Sequence, residues 1–152
     1  LPIVNWQLPI KEENMYNCQQ ALIAHLEAGG FSDARTIAAY AGQLKEAVKL
    51  TQLIPALLPV YILGRPAAQE PYHQFDLLVI TESQLLEKKT SKNLNLQLAA
   101  QVAAYLQTSY IWKPLSGAGV YELDREELDA RLILQDARFT VIALGLKIYD
   151  RT

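Results

Sequence analysis

The stretch Phe139-Thr140-Val141-Ile142-Ala143-Leu144-Gly145-Leu146-Lys147-Ile148-Tyr149 decides the fold. Thr140, Ile142, Leu144, Leu146 and Ile148 occupy alternate positions, and Phe139, Val141, Ala143, Gly145, Lys147 and Tyr149 lie between them. Side chains of a strand point alternately to opposite faces. This pattern, ending in Asp150-Arg151-Thr152, therefore predicts a closing strand with one buried face. Upstream, Leu57 to Leu63 and Tyr72 to Thr81 are β-rich runs separated by the Pro66 and Pro71 loop, so they read as an antiparallel hairpin. Pro59 removes one ladder donor and should lie at an edge or at the start of its strand.

Two helices complete the frame. Leu94, Leu98, Val102 and Leu106 recur every fourth residue among Ala and Gln, which predicts a helix over about 91–109. Glu12-Glu13 at one end, Met15, Leu22, Ile23 and Leu26 along it, and Gly29-Gly30 at the other predict a helix over about 11–28. Shorter elements are a strand over Arg35 to Tyr40, a short helix over Gln43 to Ile54, and strands near Val120 to Leu123 and Leu132 to Leu134. Strands and helices do not alternate regularly. The fold class is therefore α+β, with a mainly antiparallel sheet of about four to five strands and two main helices on one face. Residues 1–10, with Pro2 and Pro9 flanking Asn5-Trp6-Gln7-Leu8, read as an extended arm, and 11–152 as a single α+β domain.

Composition agrees with one domain. The chain has 152 residues, 51% of them hydrophobic, which is too apolar for disorder, and a formal net charge of -2, without the basic face of a nucleic-acid binder. Cys18 is the single cysteine, so no intramolecular disulfide forms, as suits a reducing cytoplasm. With no His or Lys beside it in sequence, Cys18 reads as an inert, semi-buried thiol. The first residues lack the basic region and long apolar run of a signal peptide. The uncharged runs Thr51 to Gly64 and Asn93 to Trp112 are too short or too polar for a membrane span, and no membrane partner is expected.

No phosphate-binding loop, nucleophile elbow or metal-ligand spacing is present. Gly117-Ala118-Gly119 reads as a turn, and His25 and His73 have no second ligand at metal-site spacing. No catalytic, cofactor-binding or metal-binding residue is assigned, and no cofactor is expected. Among dispersed residues, Tyr72, His73 and Asp76 are the nearest approach to an enzyme site.

Charge placement points toward protein partners. Lys88, Lys89 and Lys92 form a basic segment, and Glu126, Glu127 and Asp129 belong to an acidic one. In a head-to-tail ring each subunit meets its neighbour through a different surface, and segments of opposite sign would set the register. A surface helix normally carries a charged stripe, yet the 93–112 run has none. Its Gln101, followed by Tyr110 and Trp112, joins the lysines and carboxylates as interface candidates.

Across about residues 12–150 the order of these features resembles the small tail proteins of Mu-like phages and prophages. The matching stretches are Arg35-Thr36-Ile37-Ala38-Ala39-Tyr40-Ala41-Gly42-Gln43-Leu44, Leu53-Ile54-Pro55-Ala56-Leu57-Leu58-Pro59-Val60-Tyr61, Phe75-Asp76-Leu77-Leu78-Val79-Ile80, the Ala-rich 91–109 helix and the closing 139–148 strand. That family is regarded as a tail terminator or tail-completion protein. The resemblance implies a non-enzymatic virion subunit, assembled in the host cytoplasm into a homo-oligomeric, hexameric ring at the head-proximal end of the tail. Its partners would be the tail tube, the sheath of a contractile tail and the head–neck connector, with no specific nucleic acid. Another virion role, as a head–tail connector or small baseplate protein, and a small cytosolic enzyme are the competing readings.

Overall fold

The structure, a computed structural model, describes residues 2–31, 35–36, 55–82, 94–113, 119–135 and 139–151. In chain order the elements are α1 (Pro2–Ala28), β1 (Arg35–Thr36), β2 (Ala56–Arg65), β3 (Tyr72–Glu82), α2 (Leu94–Thr108), β4 (Ile111–Trp112), β5 (Tyr121–Leu123), β6 (Asp129–Gln135) and β7 (Phe139–Asp150). The sheet runs β1-β2-β3-β7-β5-β4, and β6 also pairs with β7. β1 joins β2 in parallel, and the other pairings are antiparallel. The α+β class and the antiparallel sheet with two helices stand as read from the sequence.

The differences are informative. Among the described residues the sheet has seven strands, not four or five. Ile111-Trp112 adds a short strand whose run is too brief to show a period of two, while the strand expected near Val120 to Leu123 is present as Tyr121–Leu123. Residues 2–10, read as extended because of their prolines, belong to α1. Pro2 opens that helix, where its missing N–H would have had no intrahelical partner, and Pro9 costs one internal bond. The expected strand over 37–40, the helix over 43–54 and the 91–93 turn of α2 lie outside the described residues.

β3 and β7 form the spine, in register from Tyr72 opposite Tyr149 to Glu82 opposite Phe139. Register aligns Leu57, Val79 and Ile142 in one row, and Tyr61, Phe75 and Leu146 in another. α1 covers this face over β2 with Cys18, Leu22 and Leu26, and α2 covers β3 and β7 with Ala99, Val102 and Leu106. Each fully buried Leu or Phe contributes about 1.5–3 kcal/mol. Gly30, at φ 79°, takes the left-handed conformation that closes α1.

The opposite face is divided. Ala56, Leu58, Leu78, Ile80, Val141 and Ala143 form a second buried cluster, so the first half of β7 is buried on both faces, not one. Toward the other end the same face carries Gln74, Asp76, Gly145 and Lys147. Pro59 sits beyond the short β1 pairing, which ends at Leu57, and its carbonyl accepts a 2.8 Å hydrogen bond from Gln19 Nε2. Among the described residues no helix is long and apolar enough to cross a membrane.

Candidate assembly surface

α2 turns Ala99, Val102 and Leu106 inward, so the 3.6-residue period leaves Leu96, Gln97, Ala100, Gln101, Ala104 and Thr108 exposed. This outward face carries no charge, and Leu96 is 49% exposed. Gln101 lies on it as the sequence predicts. Packing on both sides within the chain, the alternative explanation for an uncharged helix, does not apply to these residues.

The helix is locked in place at its C-terminal end. His25 Nε2 donates to the Ser109 carbonyl at 2.7 Å, and Tyr105 Oη donates to the His25 carbonyl at 2.7 Å. The His25 ring stacks on Trp112 at 4.5 Å and 14°. Because a carbonyl can only accept, the proton of a neutral His25 is on Nε2. Burial holds the His25 pKa below its ordinary value, against the raising effect of the Ser109 hydrogen bond. Trp112 is thereby buried within its own chain, 6% exposed, and is not a neighbour-facing residue. Among the described residues its indole Nε1 has no hydrogen-bond partner. Tyr110 is half-buried beneath the Arg125 guanidinium, 3.9 Å from the ring centre.

The acidic segment is a pinned turn between β5 and β6. Asp124 N donates to the Lys147 carbonyl at 2.8 Å, Glu126 N donates to Asp124 Oδ1 at 3.2 Å, and Tyr149 Oη donates to Asp124 Oδ2 at 3.0 Å. Gln107 Nε2 donates to the Arg125 carbonyl at 3.1 Å, which ties the turn to α2. Glu126 and Glu127 stay exposed, with no salt bridge among the described residues, and Asp129 lies 3.7 Å from Arg131 Nε. Lys88, Lys89 and Lys92 lie outside the described residues. The structure thus brings Tyr110, the acidic turn and the C-terminal end of α2 together, while Gln101 lies farther along the outward face of the same helix.

Comparison with protein-family models finds none that matches this chain, and comparison with curated proteins finds no match.

Tyr72, His73 and Asp76 do not converge. Residues one and three apart in a strand point to opposite faces, so His73 faces the helices while Tyr72 and Asp76 face away. His73 is buried, with Nδ1 hydrogen-bonded to Tyr61 Oη at 2.8 Å, and burial lowers its pKa. Tyr72 lies under the Lys147 ammonium at 4.4 Å, and Asp76 pairs with Arg131. Cys18 is buried, which pushes its thiol pKa far up and leaves the thiol protonated. Among the described residues no group of three or more His, Cys, Asp or Glu side chains could hold a metal ion.

Sequence reasoning missed two surface features. One is a groove of about 260 Å³ on the divided face, lined by Ile62, Gln74, Asp76, Asp129, Arg131 and Lys147. Gly145 floors it, and a Cβ there would lie 2.0 Å from Asp129 Oδ1. The other is the exposure of β6, whose Leu132-Ile133-Leu134 pattern gives no sign that, among the described residues, β7 alone pairs with it.

Proposed function

We propose that this chain is a tail terminator of a phage or phage-like particle. It is a non-enzymatic subunit of a hexameric ring that caps the tail tube at its head-proximal end, meets the sheath where the tail contracts, and docks to the head–neck connector. The observation that carries this reading is the outward face of α2, which is exposed, uncharged and held rigidly. Such a face is poorly suited to bulk water and well suited to a neighbouring subunit, because charged residues are depleted at interface cores. The adjacent acidic turn supplies a polar rim, and its pinned backbone lowers the ordering cost of association. Termination is binding without chemistry. One ring face complements the last tube ring, and the opposite face differs, so no further tube subunit adds.

The test is reconstitution. The purified protein, alone and mixed with tail-tube protein, is examined by native mass spectrometry and electron microscopy. Rings that cap one end of the tube and halt its growth are expected. A chain that stays monomeric beside the tube, or rings that ignore it, overturns the proposal.

A further inference from the structure

Among the described residues β6 pairs with β7 alone, and Asp129, Ala130, Arg131, Leu132 and Ile133 are all exposed. Leu132 is 57% and Ile133 40% exposed. An open strand edge presents a row of backbone donors and acceptors and is a template for a further strand. The irregularity between Leu132 and Leu134 breaks the alternation of β6, so a partner strand can follow it regularly only as far as Leu132. Within that regular part, Asp129 stands opposite Gly145 and Arg131 opposite Ala143, both on the divided face, while Ala130 and Leu132 belong to the helix-bearing face.

We propose that this part of β6 pairs antiparallel with the same strand of a second copy, about a two-fold axis through Ala130. That register sets Asp129 of each copy directly opposite Arg131 of the other, on the same sheet face, and does so twice. The small Ala130 meets its counterpart on the axis, and Leu132 comes beside Leu128 of the other copy. Neighbouring in-phase registers are worse. An axis through Arg131 opposes arginine to arginine, an axis through Asp129 opposes aspartate to aspartate, and directly opposed like charges destabilise a strand pair. Charge complementarity therefore selects both the occupant and its alignment. Arg131 already bonds Asp76 and lies near its own Asp129. Arg131 reaches Asp76 across β7, and its own Asp129 leans over Gly145, so in the dimer both side chains turn outward and the Arg131–Asp76 pair is exchanged for the two intersubunit pairs.

This contact is isologous and centres on β6, whereas the ring contact is head-to-tail through α2 with Glu126 and Glu127 at its rim, so a substitution on α2 removes one without the other. The experiment is size-exclusion chromatography with light scattering in an Ala100→Arg background, which removes the α2 contact. Asp129→Arg and Arg131→Asp are compared singly and mixed in equal amounts, and circular dichroism checks folding. The parent should dimerise, and each variant alone should associate at least tenfold more weakly. The mixture should dimerise again, because the two arginines of one strand then oppose the two aspartates of the other. A monomeric parent, dimers indifferent to both variants, or folded variants that stay apart when mixed overturn the proposal.

Discussion

Tyr61 Oη and His73 Nδ1 share a 2.8 Å hydrogen bond on the helix-bearing face, and Gly64 leaves the space in which they meet. A Cβ at position 64 would lie 2.0 Å from Tyr61 Oη and 3.0 Å from His73 Nδ1. The sheet register places Gly64 opposite His73, just past the irregularity between Tyr61 and Leu63. Tyr61→Phe should cost about 1–3 kcal/mol by leaving a buried ring nitrogen unpaired. Gly64→Ala should destabilise through the clash. The double variant should cost less than the sum, because the phenylalanine vacates the contested volume, with a coupling of about 0.5–3 kcal/mol. Urea denaturation of the four proteins measures it, and strict additivity would contradict the arrangement.

The two histidines give stability a pH dependence. Burial lowers the pKa of His73, against Asp150, and that of His25, against the Ser109 carbonyl. The unfolded chain takes up these protons near pH 6.5, while the folded chain takes them up only at lower pH. Between those values the unfolded state binds more protons. The contribution is therefore complete above about pH 6.5 and is lost as pH falls through the folded values. The urea midpoint should drop between pH 7.5 and 5.5. His73→Asn and His25→Asn should each lower the midpoint at pH 7.5 yet flatten that drop.

Much of the fold was legible because its information is local. The alternation of Phe139 to Tyr149 and the fourfold spacing of Leu94, Leu98, Val102 and Leu106 report burial through position alone, and both elements are present. What was illegible depends on partners distant in the chain. Ile111-Trp112 becomes a strand only because Tyr121-Glu122 pairs with it. Val141 and Ala143 are buried in a cluster with Leu58, Leu78 and Ile80 of β2 and β3, which the run around position 141 does not reveal. Prolines misled at the N-terminus, since the same residue opens a helix and breaks one. Of the site, the missing charge on α2 could be read directly. The inward turn of Trp112 could not, because it depends on stacking against His25, 87 positions away by numbering (112 minus 25).

Cys18 should be silent while the chain is folded. It lies fully buried in the core with Leu22, Tyr121 and Leu57, and burial, reinforced by Asp150, keeps its thiol protonated. The thiolate is the reactive form, so a disulfide reagent should label native protein negligibly and denatured protein completely. Labelling in native buffer should follow the rate of opening rather than the reagent concentration. Rapid native labelling would show that the α1 contact with the sheet is open.

The outward face of α2 separates stability from assembly. Ala100 and Gln101 are exposed, and surface substitutions away from special features usually change stability by less than about 0.5 kcal/mol. Ala100→Arg and Gln101→Glu should therefore leave the thermal midpoint within about 2–4 °C of the parent. Each would place an uncompensated charge at the proposed ring contact, and ring formation on tail tube should fall at least tenfold. A charge tolerated in both respects would remove α2 from the interface.

Opposite charge in the acidic turn and the 88–92 segment gives a final test of how neighbours align. Glu126 and Glu127 are exposed on a turn whose backbone is fixed by Asp124, so their carboxylates are available without rearrangement. If they face the lysines of the next subunit, Lys88→Glu with Lys89→Glu should weaken ring assembly and lessen its sensitivity to salt. Adding Glu126→Lys and Glu127→Lys to the same chain should restore both, because a head-to-tail contact exchanges the two signs at every interface. Exposed pairs are each worth about 0.2–1 kcal/mol, but a ring repeats the contact at every subunit boundary, so the loss multiplies around the circle. Sedimentation of rings across a salt series reads the effect. Assembly unchanged by the lysine reversal would break the pairing, and weakened assembly that the glutamate reversal fails to rescue would assign the lysines to a different partner.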